Sequence, residues 1–206
     1  MTEIIQRSPE WFAARCGKVT ASRVADIVAK TKTGYSASRE NYLAQLVCER
    51  MTGKPAESYS NSAMQWGVDQ EVYARSAYEL AKDVLVQEVG FVVHPNIENA
   101  GASPDGLVGE FGLVEIKCPN TATHIQTLLD QKVPDKYNIQ MQWQMACTGR
   151  QWCDFASFDP RMEEGLQLFI KRVEYHPLYV AELEKEVINF LMDVEDKIRK
   201  LNKLKA

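Results

Sequence analysis

Two carboxylates and a lysine lie within a short span of the chain and are suited to metal-assisted chemistry. Asp105 lies in a turn-forming Ser-Pro-Asp-Gly run, and Glu115 and Lys117 follow ten and twelve positions later in the segment Val-Glu-Ile-Lys. Carboxylate oxygens suit a hard divalent cation such as Mg²⁺. Such a cation lowers the pKa of a bound water and clamps a phosphate, as phosphodiester hydrolysis requires. A neighbouring lysine can stabilise developing charge or help to deprotonate the water.

A β-hairpin is the element that must bring these groups together. Gly109 and Gly112 bracket a Glu-Phe pair, a pattern that predicts a hairpin turn. The second strand would then fold back beside the first, so that Asp105 and Glu115 converge although they are separated in sequence.

Alternation along the second strand separates charged from apolar side chains. The period of two places Glu115 and Lys117 on one face of the strand, and Val114 and Ile116 on the other. The alternative is an ordinary hairpin with outward-facing charges, because Asp, Glu and Lys are common on surfaces and the spacing alone is a weak signal.

A second polar cluster is predicted near Arg15. A helix that begins at Ser8-Pro9 would carry Trp11 and Arg15, and a second helix would begin with Thr20 or Ser22 as its cap. Hydroxyls, free backbone N–H groups and the helix dipole make such a helix start suitable for binding a phosphate. The alternative is that the hydroxyls only cap the helix.

Periodicity and turn residues predict the other elements. Helices are predicted over residues 39–52, 64–80, 121–130, 136–148 and 177–204, strands over 84–94, from 100, over 151–158 and over 166–173, and a polar loop over 31–38. This order predicts an α/β fold with a central mixed β-sheet of about five strands, flanked by helices on both faces.

Two predicted helices carry further polar side chains of interest. Glu71, on the 64–80 helix, is either a third acidic group that faces the site or the partner of Arg75 in a surface ion pair worth about 0.2–0.5 kcal/mol. On the 136–148 helix, Gln140 and Gln144 share one face.

Composition narrows the class of protein. The 206 residues are 45% hydrophobic, which is enough for a single domain over residues 1–206 with its own core. The net charge of −4 does not by itself indicate a nucleic-acid binder, although the distribution of charge matters more than its sum.

The cysteines and histidines indicate neither disulfides nor a zinc site. The five cysteines include no Cys-x-x-Cys motif and are odd in number, which indicates reduced thiols in the cytoplasm. The three scattered histidines argue against zinc, and no apolar run approaches the ~18 residues of a membrane span.

An ordered series of motifs resembles the lambda-exonuclease-type viral recombinase family, whose members are PD-(D/E)xK nucleases. In chain order the motifs are Trp11, Arg15, Gly17, Val19–Ser22, Trp66-Gly67 with Glu71, Ser103–Gly106, Glu115–Pro119, Gln140, Gln142 and Asp159–Met162. The resemblance spans residues 8–195 and implies the restriction-endonuclease-like core of that class.

The resemblance implies an activity and partners. It implies a processive, double-strand-specific 5′→3′ deoxyribonuclease that degrades one strand of linear DNA from 5′-phosphorylated ends. The 3′ overhangs that remain would serve phage-type recombination by single-strand annealing. The cofactor would be Mg²⁺, with two ions per active site and Mn²⁺ as a substitute. The implied partners are a homotrimeric ring and a phage single-strand annealing protein, in the cytoplasm of a bacterial host.

The resemblance also implies roles for named residues. Asp105, Glu115 and the backbone carbonyl of Ile116 would bind metal, and Lys117 would be the catalytic lysine. The polar groups implied around them are Glu71, which would hold water or the second metal, and Gln140, which would help to place the nucleophile.

A separate group of residues is implied to bind the DNA end. Arg15, Thr20, Ser22 and Ser103 match positions that hold the 5′-terminal phosphate. Met64 matches an apolar wedge that parts the terminal base pair.

The sequence is compatible with two alternative functions. A structure- or sequence-specific endonuclease could be built on the same core, although it would need no 5′-end pocket of the kind predicted around Arg15 and Ser22. A catalytically inactive DNA-binding module is the other alternative, although the intact set of Asp105, Glu115 and Lys117 argues against it.

Overall fold

A five-stranded mixed β-sheet carries the predicted hairpin at its centre. The structure is a computed structural model that describes residues 5–56 and 62–205, without the side chains of residues 63 and 64. The helices are α1 (Pro9–Arg15), α2 (Val24–Val28), α3 (Ala37–Thr52), α4 (Ser62–Lys82), α5 (Thr121–Asp130), α6 (Asp135–Thr148) and α7 (Pro177–Asn202). The strands are β1 (Val19–Thr20), β2 (Lys30–Thr31), β3 (Gly34–Tyr35), β4 (Val86–Gln87), β5 (Val92–His94), β6 (Ile97–Ala102), β7 (Gly106–Val108), β8 (Gly112–Lys117), β9 (Trp152–Phe158) and β10 (Leu168–Glu174).

The five-stranded sheet has the order β10-β9-β8-β7-β4. β8 and β9 run parallel, and the other neighbours are antiparallel. A parallel pair needs a long crossover, which α5 and α6 supply. The prediction of a mixed sheet of about five strands flanked by helices is therefore confirmed.

The two faces of β8 pack against different helices, as its alternation predicts. Val114 and Ile116 lie in a buried cluster with Ala74 and Tyr78 of α4. On the opposite face, Leu113 packs with Met141 and Met145 of α6, together with residues of β9. Glu115 and Lys117 belong to this second face, so the helix that covers them is α6.

A second sheet, with the order β1-β6-β5, forms beside the first. Its strands pack with α2, α3, α6 and α7 in the largest apolar cluster, where Tyr42 of α3 stacks on Phe190 of α7 at 5.5 Å between ring centroids. Trp143 of α6 lies in this cluster, so α6 contributes to the core of both sheets.

The single strand predicted over 84–94 is wrong. The segment contains β4, which pairs with β7, and β5, which pairs with β6 in the other sheet. Between them the chain crosses from one sheet to the other, and Phe91 fills the space beside Gly101, where an added Cβ would lie 2.4 Å from the Phe91 ring. Alternation in sequence records which residues are buried but not which strand each half will pair with.

The α-helix start predicted at Thr20 or Ser22 is wrong, although Thr20 does occupy the N-cap position of a 3₁₀ turn. Thr20 ends β1 and lies opposite Gly101 of β6 in a parallel pair, and its side chain makes no capping hydrogen bond among the described residues. A 3₁₀ turn, Ala21–Arg23, follows, and α2 begins only at Val24. The loop predicted over 31–38 differs too, because β2 and β3 form a short hairpin there.

Among the helices that the structure describes, none combines the length and the apolar character that a bilayer span requires.

The Trp152 ring packs so closely against Gly112 that a larger residue at position 112 should destabilise the protein. A Cβ added at Gly112 would lie 2.1 Å from the Trp152 ring, and the Arg172 guanidinium packs over that ring, 3.5 Å from its centroid. We expect Gly112→Ala to lower the free energy of unfolding by about 1–3 kcal/mol through overpacking. Gly165→Ala is the matched control, because a Cβ there meets nothing within 4 Å. Urea denaturation of both variants checks this, and equal midpoints would contradict it.

Candidate active site

The register of the hairpin brings Asp105 to Glu115. Gly106 of β7 pairs with Val114 of β8, so the residue before Gly106 lies opposite the residue after Val114. The Asp105 Oδ2 atom accepts a hydrogen bond from the Ile116 backbone N–H at 2.7 Å, which holds the carboxylate against β8. The predicted convergence of the two acids through the hairpin is therefore present in the structure.

Glu115 is fully buried, and donors surround its carboxylate. Lys117, on the same face of β8, forms an ion pair and hydrogen bond with Oε1. Gln140 Nε2 donates to Oε1 at 2.6 Å, and Gln144 Nε2 donates to Oε2 at 2.6 Å. Both glutamines come from α6, where their spacing of four residues places them on one face of the helix.

Burial and like charge shape the electrostatics of the cluster. Burial raises the pKa of Asp105 well above its ordinary value, and the neighbouring Glu115 carboxylate raises it further. Burial alone would lower the pKa of Lys117, but attraction to Glu115 and Asp105 outweighs burial and raises it. Two carboxylates thus share one nearby lysine, and the cluster has an excess of negative charge that favours either a proton or a cation.

The donor set fits a hard divalent cation. The available groups are carboxylate and carbonyl oxygens, which Mg²⁺ prefers. Within residues 5–56 and 62–205, no group of three or more His, Cys, Asp and Glu side chains is arranged to hold a metal. Mg²⁺ is commonly held by one or two carboxylates together with waters and substrate phosphates rather than by an all-protein cage.

Glu71 lies beside this cluster, between two arginines. One carboxylate oxygen lies 3.5 Å from Arg75, the i+4 neighbour expected as the alternative to a site role, and the other pairs with Arg7. The charge of Glu71 also contributes to raising the pKa of Asp105, after the larger effects of burial and Glu115. Glu71 is therefore electrostatically coupled to the site while its oxygens are bound by arginines.

Arg15 lies in a pocket with Trp11 and Ser103. The guanidinium carbon lies 4.0 Å from the Trp11 ring centroid, and Arg15 Nη1 and Trp11 Nε1 both donate to Ser103 Oγ, at 3.1 and 2.9 Å. Among the residues described, no carboxylate lies within 4.0 Å of Arg15. Its positive charge is thus held in place by a ring and a hydroxyl, and in the described part of the chain it forms no direct ion pair, although the more distant Glu49 attracts it.

Ser22 and Ser103, two of the expected phosphate ligands, lie just beyond the carboxyl ends of neighbouring strands in the second sheet. Because β1 and β6 are parallel and pair Thr20 with Gly101, Ser22 and Ser103 follow the same ends of neighbouring strands. Ser22 is exposed, whereas Thr20 is buried and its N–H donates to Tyr42 Oη at 3.1 Å. The side chain of Met64, expected as the wedge, lies outside the described residues.

Three residues near the site were missed at the sequence level. Gln144 binds Glu115, Arg7 pairs with Glu71, and the Tyr137 ring lies beside Lys117, with 5.3 Å from its centroid to Nζ. The spacing of Gln144 from Gln140 was a usable signal. Arg7 and Tyr137 meet their partners only through long-range packing, which local patterns do not record.

The sequence matches a known protein family. A family model described as the YqaJ-like viral recombinase domain matches residues 10–151. A search of the curated proteins finds no match.

Solved structures include similar chains. An alkaline exonuclease from Laribacter hongkongensis is 50% identical, with 96% of this chain and 98% of that chain covered and a TM-score of 0.90. The same exonuclease in complex with dAMP gives 51% identity, the same coverage of 96% and 98%, and a TM-score of 0.91. A phage related exonuclease from Haemophilus somnus 129PT is 14% identical, with 92% and 96% covered and a TM-score of 0.68, and it shows likeness of fold alone.

The family match covers the hairpin, the Arg15 pocket and the glutamines of α6, and the resemblance stated from the motifs is confirmed. The chain belongs to the YqaJ-like viral recombinase family.

Proposed function

We propose that this chain is a Mg²⁺-dependent exonuclease that degrades one strand of linear double-stranded DNA in the 5′→3′ direction, from 5′-phosphorylated ends. The observation that carries the proposal is the convergence of Asp105, Glu115 and Lys117 on one hairpin. The relative from Laribacter hongkongensis, 50% identical, is an alkaline exonuclease, and its complex with dAMP fits an enzyme that releases mononucleotides.

The proposed chemistry uses the residue just before β7 and groups on β8, α4 and α6. Asp105, Glu115 and the backbone carbonyl of Ile116 would hold Mg²⁺, and Mn²⁺ would substitute. When bound, the metal supplies an acidified water and neutralises charge on the phosphate. Lys117, kept charged by its pairing with Glu115, would stabilise the negative charge that develops on the phosphate. Gln140 would help to orient the attacking group, and Glu71 would hold water or a second ion.

The pocket around Arg15 supports recognition of a 5′ end. A terminal phosphate carries more negative charge than an internal phosphodiester, so an arginine without an acidic partner should prefer it. Ser103, which accepts from Arg15, lies two residues before Asp105, so their Cα atoms are at most about 7 Å apart. A phosphate bound by Arg15, Ser103, Ser22 and Thr20 would therefore hold the end of the strand close to the reacting bond.

The family resemblance supports proposals about assembly. A homotrimeric ring around the DNA would give processivity by topology, and would let an acidic protein hold DNA through a locally basic channel. The 3′ overhangs would pass to a phage single-strand annealing protein in the bacterial cytoplasm. Sedimentation that reports a monomer, still processive on long duplexes, would contradict the ring.

The direct test of the proposed function compares linear and closed circular duplexes. We expect nucleotide release from linear DNA in Mg²⁺, starting at the 5′ end of each strand, and none in excess EDTA. Cutting of the closed circle would favour an endonuclease. Binding without any cleavage would favour an inactive DNA-binding module.

Asp105→Asn should abolish nucleotide release, because it replaces a proposed anionic metal ligand with a neutral amide that has one oxygen instead of two. The amide oxygen can still accept from the Ile116 N–H, so the hairpin should keep its fold. Glu110→Gln is the matched control, since it neutralises an exposed acid in the turn of the same hairpin. Release is measured on a linear duplex in Mg²⁺, and binding of DNA ends is measured in Ca²⁺. Near wild-type release by Asp105→Asn would refute the assignment.

Lys117→Met should lower the cleavage rate by about 10²-fold or more, the usual scale for an acid–base or electrostatic group. Metal binding should survive, because both proposed carboxylate ligands remain. Lys171→Met provides the control, since Lys171 is an exposed lysine on β10 of the same sheet. Single-turnover rates at saturating Mg²⁺ check the prediction. Equal rates for the two variants would exclude a catalytic role for Lys117.

Arg15→Gln should erase most of the rate difference between 5′-phosphate and 5′-hydroxyl duplexes, at a cost of about 1.5–3 kcal/mol for one charge-assisted hydrogen bond. Arg39→Gln is the control, because Arg39 also stacks on an aromatic ring, 4.1 Å from the Tyr35 centroid, away from the Arg15 pocket. The rate ratio is measured together with thermal melts. If Arg15 only packs against Trp11, its variant will lose stability and keep the wild-type ratio.

A further inference from the structure

The carboxylate of Glu115 has an uneven set of donors. Oε1 accepts from both Lys117 and Gln140, whereas Oε2 has a single donor among the described residues, Gln144. Gln144 is fully buried, and it has no role in the proposed chemistry described above. Its contact at 2.6 Å is with the residue on which that chemistry depends.

The backbone of β8 cannot by itself fix this carboxylate. β8 pairs with β7 as far as Val114 and with β9 at Glu115 itself, so the backbone at Glu115 is held in the sheet. The terminal torsion of a glutamate is broad, however, and packing against apolar neighbours does not select one plane for the two oxygens. A donor on each oxygen does select one, and for Oε2 Gln144 supplies it.

The Gln144 amide donates to Glu115 through its nitrogen, but its oxygen is left unsatisfied among the described residues, which lowers stability. Gln144 Oε1 is buried and has no hydrogen-bond partner in the described part of the chain. Exchanging the amide atoms would place Oε1 against the Glu115 carboxylate, which would repel it. A methionine of similar length would avoid leaving a buried acceptor unsatisfied. The amide is therefore explained by its bond to Glu115 and not by packing.

The Gln144 amide that donates to Glu115 carries no charge. Lys117 is the one cationic partner of Glu115 among the described residues. An arginine or lysine at position 144 would also reach the carboxylate but would cancel the negative charge that attracts a divalent cation. An amide fixes the orientation and leaves that charge in place.

From these contacts we propose that Gln144 is a positioning residue, which holds the Glu115 carboxylate in the orientation that binds the divalent cation. This inference rests on the proposed function, because it assumes that Glu115 is a ligand. The hydrogen-bond partners of metal ligands typically contribute about 10–100-fold to metal affinity.

The chain offers a matched control on the same helix. Gln142 is also buried, but its amide donates to the Glu174 carbonyl at 2.7 Å and accepts from the His176 N–H at 2.9 Å, away from Glu115. Gln142→Met and Gln144→Met therefore make the same chemical change at similar burial. Only Gln144→Met removes a donor from the carboxylate.

The experiment titrates the full-length protein with Mn²⁺ and with Mg²⁺ by calorimetry, without DNA, and records thermal melts of each variant. We expect both substitutions to lower stability. Gln144→Met should weaken metal binding by about 10-fold or more, whereas Gln142→Met should bind metal as the wild type does. If Gln144→Met does not fold, Gln144→Asn replaces it, because Asn keeps the amide but is too short to reach Oε2.

The outcomes separate the two proposals. Wild-type metal affinity in a folded Gln144 variant overturns the positioning role while leaving the proposed function intact. An equal loss of affinity in both variants overturns it as well, because the loss would then reflect general destabilisation. A wild-type protein that binds neither metal and cleaves DNA in EDTA overturns the proposed function itself.

Discussion

The burial of one carboxylate is the constraint on which the rest of the structure depends. Glu115 lies on a central strand with no exposed surface, and a buried charge is tolerated only when it is paired and hydrogen-bonded. Its partners come from its own strand and from α6, so β8 and α6 must keep their spacing. The packing of Met141 and Met145 against Leu113 maintains that spacing. The apolar core and the polar site thus depend on the same helix–strand contact.

A short link between the two sheets joins the two parts of the proposed site. β6 ends the second sheet at Ala102, and β7 enters the first sheet at Gly106. The residues between them include Ser103, which contacts Arg15, and Asp105, which is bound to β8. Gln6 reinforces the link by donating to the Pro104 carbonyl at 2.8 Å. A pocket suited to a terminal phosphate and a cluster suited to a divalent cation are therefore held at a fixed separation.

Local chemistry was sufficient to predict the hairpin and the helix over 121–130. The glycines around the hairpin turn predict that β8 pairs antiparallel with β7, and the alternation in β8 predicts that Glu115 and Lys117 share one face. Pairing between distant segments could not be predicted in the same way. The residue type of Thr20 suits an α-helix cap, but its backbone lies opposite Gly101 in a parallel pair and only a 3₁₀ turn follows it.

Among the site residues, too, contacts between neighbours in sequence can be predicted, whereas contacts between distant segments cannot. Glu71 and Arg75 are neighbours on one helix, so their pairing followed from spacing. The pairing of Glu71 with Arg7 required knowledge of where the N-terminal segment lies. The spacing of four residues predicts that Gln144 shares a helix face with Gln140, but that this face meets Glu115 depends on the docking of α6 on the sheet.

The parallel pairing of β8 and β9 has a consequence for the order of folding. The hairpin closes over a few residues, whereas β8 and β9 can pair only after the crossover through α5 and α6 has closed, at a greater cost in chain entropy. Until α6 docks, Glu115 has neither amide partner. Long-range pairings of this kind form slowly. The site is thus completed late, and a chain whose synthesis stops before Gln140 contains every proposed carboxylate ligand but lacks the helix that orients one of them.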